Sequence, residues 1–268
     1  TIWTNLSFLK PITEDIICSS ELDSDKLKSK DNTIHKNEKK LFNNLVFKDL
    51  SFKYPEGNDY IFKDLNLEIS LNKVIGITGP SGSGKSTFLD LICNLLIPTK
   101  GKIKIDDNDL INLDRNWLNS IGYASQEVVT IDSSIYSNIL FGRDKEIKLD
   151  ENLIKKLLQN VSQICCLEDF INSLPNKYLT KVGEDGSLLS GGQNQKINIA
   201  RAVYNDFDMI ALDEPSSAQD KETSRELSNL LKEISKEKLV ILISHEIELN
   251  SIADYSINLP EGKLVKND

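Results

Sequence analysis

Residues 74–87 read Val74-Ile75-Gly76-Ile77-Thr78-Gly79-Pro80-Ser81-Gly82-Ser83-Gly84-Lys85-Ser86-Thr87, and an apolar run from Phe88 to Leu96 follows. Val74 to Thr78 carries no charge and is rich in β-branched side chains, which predicts a short buried strand; Phe88 to Leu96 predicts a helix. Between them Gly79 to Ser86 fits G-x-x-x-x-G-K-[ST], in the strand–loop–helix setting that the pattern requires. Glycines let backbone N–H groups turn inward around phosphate, and the helix start adds the positive end of its dipole. Lys85 is expected to reach the β- and γ-phosphates of a nucleotide and Ser86 to ligate Mg²⁺. The expected nucleotide-binding set here is Gly79, Ser81, Gly82, Ser83, Gly84, Lys85, Ser86 and Thr87.

Downstream, Met209 to Asp213 and Leu239 to Ile243 read as two further buried strands, with helical segments at about 150–160, 163–173, 191–205 and 222–236. Apolar strands alternating with helices predict an α/β core with a mainly parallel sheet. Upstream, Leu45 to Phe47, Leu50 to Phe52 and Tyr60 to Ile69 read as strands around a turn at Pro55, Gly57 and Asn58, so an antiparallel β subdomain is expected at the start of the domain. Residues 1–40 differ. Ile12, Ile16, Ile17 and Leu22 can share one face of a helix over about 10–28, and a charge run without periodicity extends from Asp23 to Lys40. By itself this segment reads equally as a solvated tail or as the cytosolic end of a preceding helix.

Composition narrows the class. The 268 residues are 39% hydrophobic and 27% charged, enough apolar material for a core. Net charge is -9 with no Lys/Arg stripe, so no nucleic-acid partner is expected. Four cysteines without a C-x-x-C spacing predict reduced thiols rather than a disulfide framework. No apolar run is long enough for a membrane span. The chain opens on Thr1 without signal-peptide character, as a processed or excised chain would.

Two more patterns carry chemistry. Asp213 and Glu214 close an apolar strand expected to lie beside the Val74–Thr78 strand. An acid there can organise Mg²⁺, and its neighbour can orient or deprotonate an attacking water; the alternative is a capping pair before Pro215. Leu189-Ser190-Gly191-Gly192-Gln193 heads a predicted helix and reads either as a Gly-rich helix start or as a second anion site. As the chain has one phosphate loop, such a second site would serve a γ-phosphate held by another copy.

The combination resembles the nucleotide-binding domain of an ABC transporter, whose signature is L-S-G-G-Q, and six further motifs resemble the family's in order. Tyr54 resembles the aromatic that stacks on adenine. Gln126 resembles the Q-loop glutamine, which contacts Mg²⁺ and senses the membrane domain. Ser217-Ala218-Gln219-Asp220 resembles the D-loop, and His245 the switch histidine at the γ-phosphate. Thr180 to Gly186 and Ser134 to Gly142 resemble stretches of the exporter class, and residues 1–40 then resemble the end of the last membrane helix plus a linker. The departures are Gln219, Asn194, Lys181, Asp185 and Glu246, which concern interdomain coupling rather than the ATP chemistry.

The resemblance implies a P-loop NTPase core (41–268) with an N-terminal antiparallel β subdomain and a helical signature subdomain at about 127–205. It implies an ATPase using ATP and Mg²⁺, with Glu214, His245, Lys85 and Gln126 catalytic and Ser86, Gln126 and Asp213 around the metal. Tyr54 and Ser190, Gly191, Gly192 and Gln193 would complete the ATP site, the last four across an ATP-dependent homodimer. It further implies a transmembrane domain on the same polypeptide and a place on the cytoplasmic face of a membrane. A free-standing importer ATPase and a soluble ATPase acting on nucleic acid are the rivals. Membrane spans upstream in the gene would exclude the first; the single phosphate loop and the acidic charge weigh against the second.

Overall fold

The computed structural model describes residues 43–267 apart from 71, 114–116, 142–157, 159–160, 163–164, 205–206 and 216–220. These belong to the compact unit Leu41–Asp268. The helix expected over 10–28, most of that at 150–160, Gly142 and the D-loop residues Ser217 to Asp220 lie outside the described residues.

The N-terminal sheet is antiparallel. It contains β1 (Asn44–Phe52), β2 (Phe62–Ser70), β4 (Lys100–Ile105) and β5 (Asn108–Asp109), in the order β2-β1-β4-β5. The two strands expected at Leu45–Phe47 and Leu50–Phe52 are one strand, interrupted by a register shift against β2 between Phe47 and Leu50. Asp49 turns to φ +48° there, and its backbone N–H donates to Asn66 Oδ1 at 3.0 Å.

The second sheet contains β3 (Val74–Thr78), β6 (Ile121–Ala124), β7 (Met209–Asp213), β8 (Leu239–Ile243), β9 (Tyr255–Asn258) and β10 (Lys263–Lys266), in the order β10-β9-β3-β8-β7-β6. All neighbours are parallel except β9 and β10. This corrects one expectation: β7, which ends in Asp213, is not beside β3. β8 lies between them, because both pair with it. Alternation along these strands feeds two cores. Ile75, Ile77, Met209, Ala211, Ile241 and Ile243 face one, and Val74, Ile210, Leu212, Val240 and Leu242 face the other. A parallel sheet buried on both faces explains why its strands read as continuous apolar runs.

Helices among the described residues include α1 (Lys85–Ile92), α2 (Ile135–Ile139), α3 (Glu168–Ser173), α4 (Gly191–Tyr204), α5 (Lys221–Ile234) and α6 (Ile247–Asn250). α1 ends short of the expected Leu96, with Asn94 at φ +57° two residues beyond its last turn, a conformation that stops helices. Phe88 on α1 stacks on Phe47 at 5.0 Å between ring centroids and meets the edge of Phe62 at 5.9 Å. These contacts seat the phosphate loop on the β1–β2 sheet.

Candidate nucleotide site

β3 runs into the loop Gly79–Gly84, and α1 leaves it. Gly84 has φ +91°, and a Cβ there would lie 2.4 Å from Ile61 Cγ2 and 2.9 Å from the Phe62 ring, so only glycine fits. The start of β3 is clamped too: Asp254 Oδ2 accepts the Val74 N–H at 2.8 Å, and the carboxylate pairs with Lys232 at 2.9 Å. Lys85 Nζ donates to the carbonyls of Gly79 and Pro80, both at 3.1 Å, so its ammonium lies folded over the loop. Ser83 Oγ is buried without a partner among the described residues. An orphan hydroxyl under a glycine-rich turn is what a loop built to donate to phosphate oxygens would hold.

Asp213 is 3% exposed and accepts a hydrogen bond from the Ser86 hydroxyl. Burial raises its carboxyl above the usual range; the Ser86 bond works against this, Glu214 adds to it and Lys85 again opposes it. A second carboxyl, Asp90 on α1, is also raised, by burial and then by Asp213, while its bond with Tyr123 lowers it. Among the described residues no group of three or more His, Cys, Asp or Glu could hold a metal by itself. The Asp213 carboxylate and the Ser86 hydroxyl bonded to it are a donor pair that would fit Mg²⁺, which keeps waters and uses one or two carboxylates together with substrate phosphates.

Three sequence-predicted residues from separate segments meet. Gln126 Nε2 donates to Glu214 Oε2 at 2.9 Å, and Glu214 Oε1 lies 3.4 Å from His245 Nε2. Gln126 follows β6, Glu214 follows β7 and His245 follows β8, so the three occupy adjacent C-terminal ends of parallel strands. The Ser244 hydroxyl accepts the Glu246 N–H at 3.0 Å, and the Ser244 carbonyl accepts from Asn250 at 3.0 Å, which fixes the turn around His245. Tyr54 joins the phosphate loop side: its hydroxyl is 3.0 Å from Thr87 Oγ1, its ring packs edge-on to Phe52, and it is 42% exposed.

Ser190 and Gln193 form a reciprocal cap at the head of α4. Ser190 Oγ accepts the Gln193 N–H at 3.2 Å, and Gln193 Oε1 accepts the Ser190 N–H at 2.9 Å. So this segment is a well-made helix start, and among the described residues no hydrogen bond joins it to the phosphate loop of its own chain. Ser190 and Gly191 are exposed. The two exporter-like stretches are neighbours: the Ile135 N–H donates to the Thr180 carbonyl at 3.0 Å and the Val182 N–H to the Ser133 carbonyl at 2.9 Å. Asn194 Nδ2, one of the departures, donates to the Gly186 carbonyl at 3.3 Å, tying α4 to that stretch.

Sequence reasoning missed the side chains with which α4 grips the segment after β6. Asn198 Nδ2 donates to the Ser125 carbonyl at 3.0 Å, beside Gln126. Arg201 donates to the carbonyls of Val129 and Asn138, both at 2.9 Å, and lies over the Phe141 ring at 5.3 Å. Burial lowers the Arg201 pKa. Buried polar positions, Gln195 and Asn198, on a helix otherwise lined by Ile197, Ile199 and Ala200 were the signal available.

A family profile described as "ABC transporter" matches residues 62–217. The chain is 36% identical over 221 residues to ABC transporter B family member 14 of Arabidopsis thaliana, covering 82% of this chain and 17% of that protein. It is 36% identical over 224 residues to the alpha-hemolysin translocation ATP-binding protein HlyB of Escherichia coli, covering 83% and 31%. Against the ATP-dependent lipid A-core flippase of Cupriavidus pinatubonensis it is 30% identical, covering 83% and 37%. The chain thus spans well under half the length of each relative. A bacterial Atm1-family ABC exporter solved with ATP bound superposes with a TM-score of 0.75 at 28% identity, covering 84% of this chain and 38% of that one.

Proposed function

The chain belongs to the ABC transporter family, and from that premise we propose that it is the ATP-hydrolysing nucleotide-binding domain of an exporter. The observation that carries the proposal is the convergence of Gln126, Glu214 and His245 at neighbouring strand ends, with Asp213 and Ser86 hydrogen-bonded in the same site.

The loop N–H groups and Lys85 hold the β- and γ-phosphates, and the Tyr54 ring stacks on the base. Ser86, Asp213 and the Gln126 amide oxygen hold Mg²⁺, which when bound neutralises phosphate charge. Glu214 orients the attacking water and accepts its proton, while His245 steadies the γ-phosphate. The exposed Ser190 and Gly191, with the half-buried Gly192 and Gln193 beside them, serve the phosphates of a second copy, an interface with two-fold symmetry. Closure of that dimer drives a transmembrane domain of the same polypeptide, from the cytoplasmic face of the membrane. Residues 1–40 lead in from that domain, and cargo choice resides in it.

Glu214→Gln tests this. The amide keeps the shape but cannot take the proton, so ATP binds and turnover nearly stops. ATP held at the interface then stabilises the dimer by mass action. Light scattering after size exclusion should find a dimer with Mg-ATP and a monomer with ADP. A variant that stays monomeric in saturating ATP would count against the sandwich, and one with wild-type turnover would remove Glu214 from catalysis.

A further inference from the structure

Glu214 carries two backbone restrictions at once. Its φ is +49°, in the left-handed region that non-glycine residues avoid. Pro215 follows it, which biases the preceding residue toward extended conformations. A residue stays in such a conformation only where its surroundings over-determine it. Two hydrogen bonds do so here. The Glu214 N–H donates to the Ile243 carbonyl at the end of β8, at 2.9 Å. The Glu214 carbonyl accepts from Gln195 Nε2 at 3.4 Å. Gln195 is only 3% exposed, and a buried amide is costly unless it is hydrogen-bonded.

We infer that Gln195 is a positioning residue for the general base: its amide holds the Glu214 peptide in the left-handed conformation that directs the carboxylate to Gln126 and His245. Gln195 lies on α4, the helix that Ser190 and Gln193 cap. The same bond therefore ties the segment facing the second copy's nucleotide to the general base of its own chain. Movement of α4 on engaging a partner's phosphates would reach Glu214 through one side chain. The inference rests on the assignment of Glu214 as general base.

Gln195→Met keeps length and volume without a donor, and Gln195→Glu keeps shape but only accepts when ionised. Steady-state hydrolysis of Mg-ATP by the 268-residue chain and binding of a fluorescent ATP analogue are measured for both. A displaced general base should lower kcat about 10- to 100-fold. KM and analogue affinity should stay within about twofold, because no ground-state contact is removed. Adding Gln195→Met to Glu214→Gln should leave the ATP-dependent dimer of that variant intact, an outcome that a merely structural role would not produce. A kcat within about twofold of wild type in either variant that binds the analogue overturns the inference, as does loss of the dimer in the double variant. Glu214→Gln measured alone separates the two levels. If it turns over normally, the general-base assignment fails; if it is inactive while Gln195→Met is fully active, only the role of Gln195 fails.

Discussion

Replacing Gly122 by alanine should damage both the fold and the site through one contact. Gly122 lies in β6, directly under α4. A Cβ at this position would stand 1.9 Å from the Ala202 carbonyl oxygen, 2.7 Å from Phe207 Cδ2 and 2.9 Å from the Ala202 carbonyl carbon, where ordinary contact begins at 3.4 Å. The nearest obstacle is helix backbone, which cannot swing away as a side chain can, so α4 must retreat by about 1.5 Å or β6 must distort. Overpacking against backbone belongs at the upper end of its usual range, about 3 kcal/mol. That is a large share of the stability of a typical domain. It corresponds to a melting temperature lower by about 6–12 °C for a domain of this size. Because α4 also carries Asn198 and Arg201, which grip the segment around Gln126, ATP turnover should fall even at temperatures where the variant stays folded. Urea unfolding and calorimetry on wild type and Gly122→Ala provide the measurement, with the denaturant slope unchanged. A stability within about 0.5 kcal/mol of wild type would refute the close packing of β6 on α4.

Gly191→Ala is the complementary case: nothing lies within 4 Å of the added Cβ. Stability should stay within about 0.5 kcal/mol of wild type, while the ATP-dependent dimer seen by light scattering in the Glu214→Gln background weakens. Tyr54→Ala should weaken ATP binding by about 1–3 kcal/mol in titration calorimetry. Tyr54→Phe, which keeps the ring and removes only the bond to Thr87, should cost about 1 kcal/mol or less. Asp254→Ala removes the clamp on β3. Burial by itself raises the Asp254 carboxyl, but the Val74 N–H and Lys232 outweigh it and hold the carboxyl below 3.8. A depressed pKa stabilises the fold above the unfolded value, and that contribution is lost as pH falls through the folded value. Urea midpoints should therefore separate wild type from Asp254→Ala by about 1–3 kcal/mol at neutral pH, and the gap should shrink once the pH drops below 3.8; a gap independent of pH would refute the ionic clamp.

The phosphate loop, Asp213, Glu214 and the head of α4 were legible in sequence because each is a local arrangement. A strand, a glycine turn and a helix start are written in consecutive residues, and the buried parallel strands announce themselves as charge-free runs. Tyr54, Gln126 and His245 were legible only through resemblance, since a single aromatic, amide or imidazole carries no local signature. Short strands such as β6, β9 and β10, with at most two strand-forming residues each, fall below what alternation can reveal.

What sequence could not supply is whatever depends on packing between distant segments. The order of β3, β8 and β7 is set by which apolar faces fit together, so Asp213 ended one strand further from the phosphate loop than expected. Lys48 and Asp49 read as a gap between strands because the Asn66 side chain that holds the bulge lies on another strand. The left-handed Glu214 and its hydrogen bond to Gln195 arise only after β7, β8 and α4 have packed. The types of chemical group in the site follow from short motifs. Their mutual distances follow from side chains that find backbone partners far along the chain, and only the folded core brings those partners within reach.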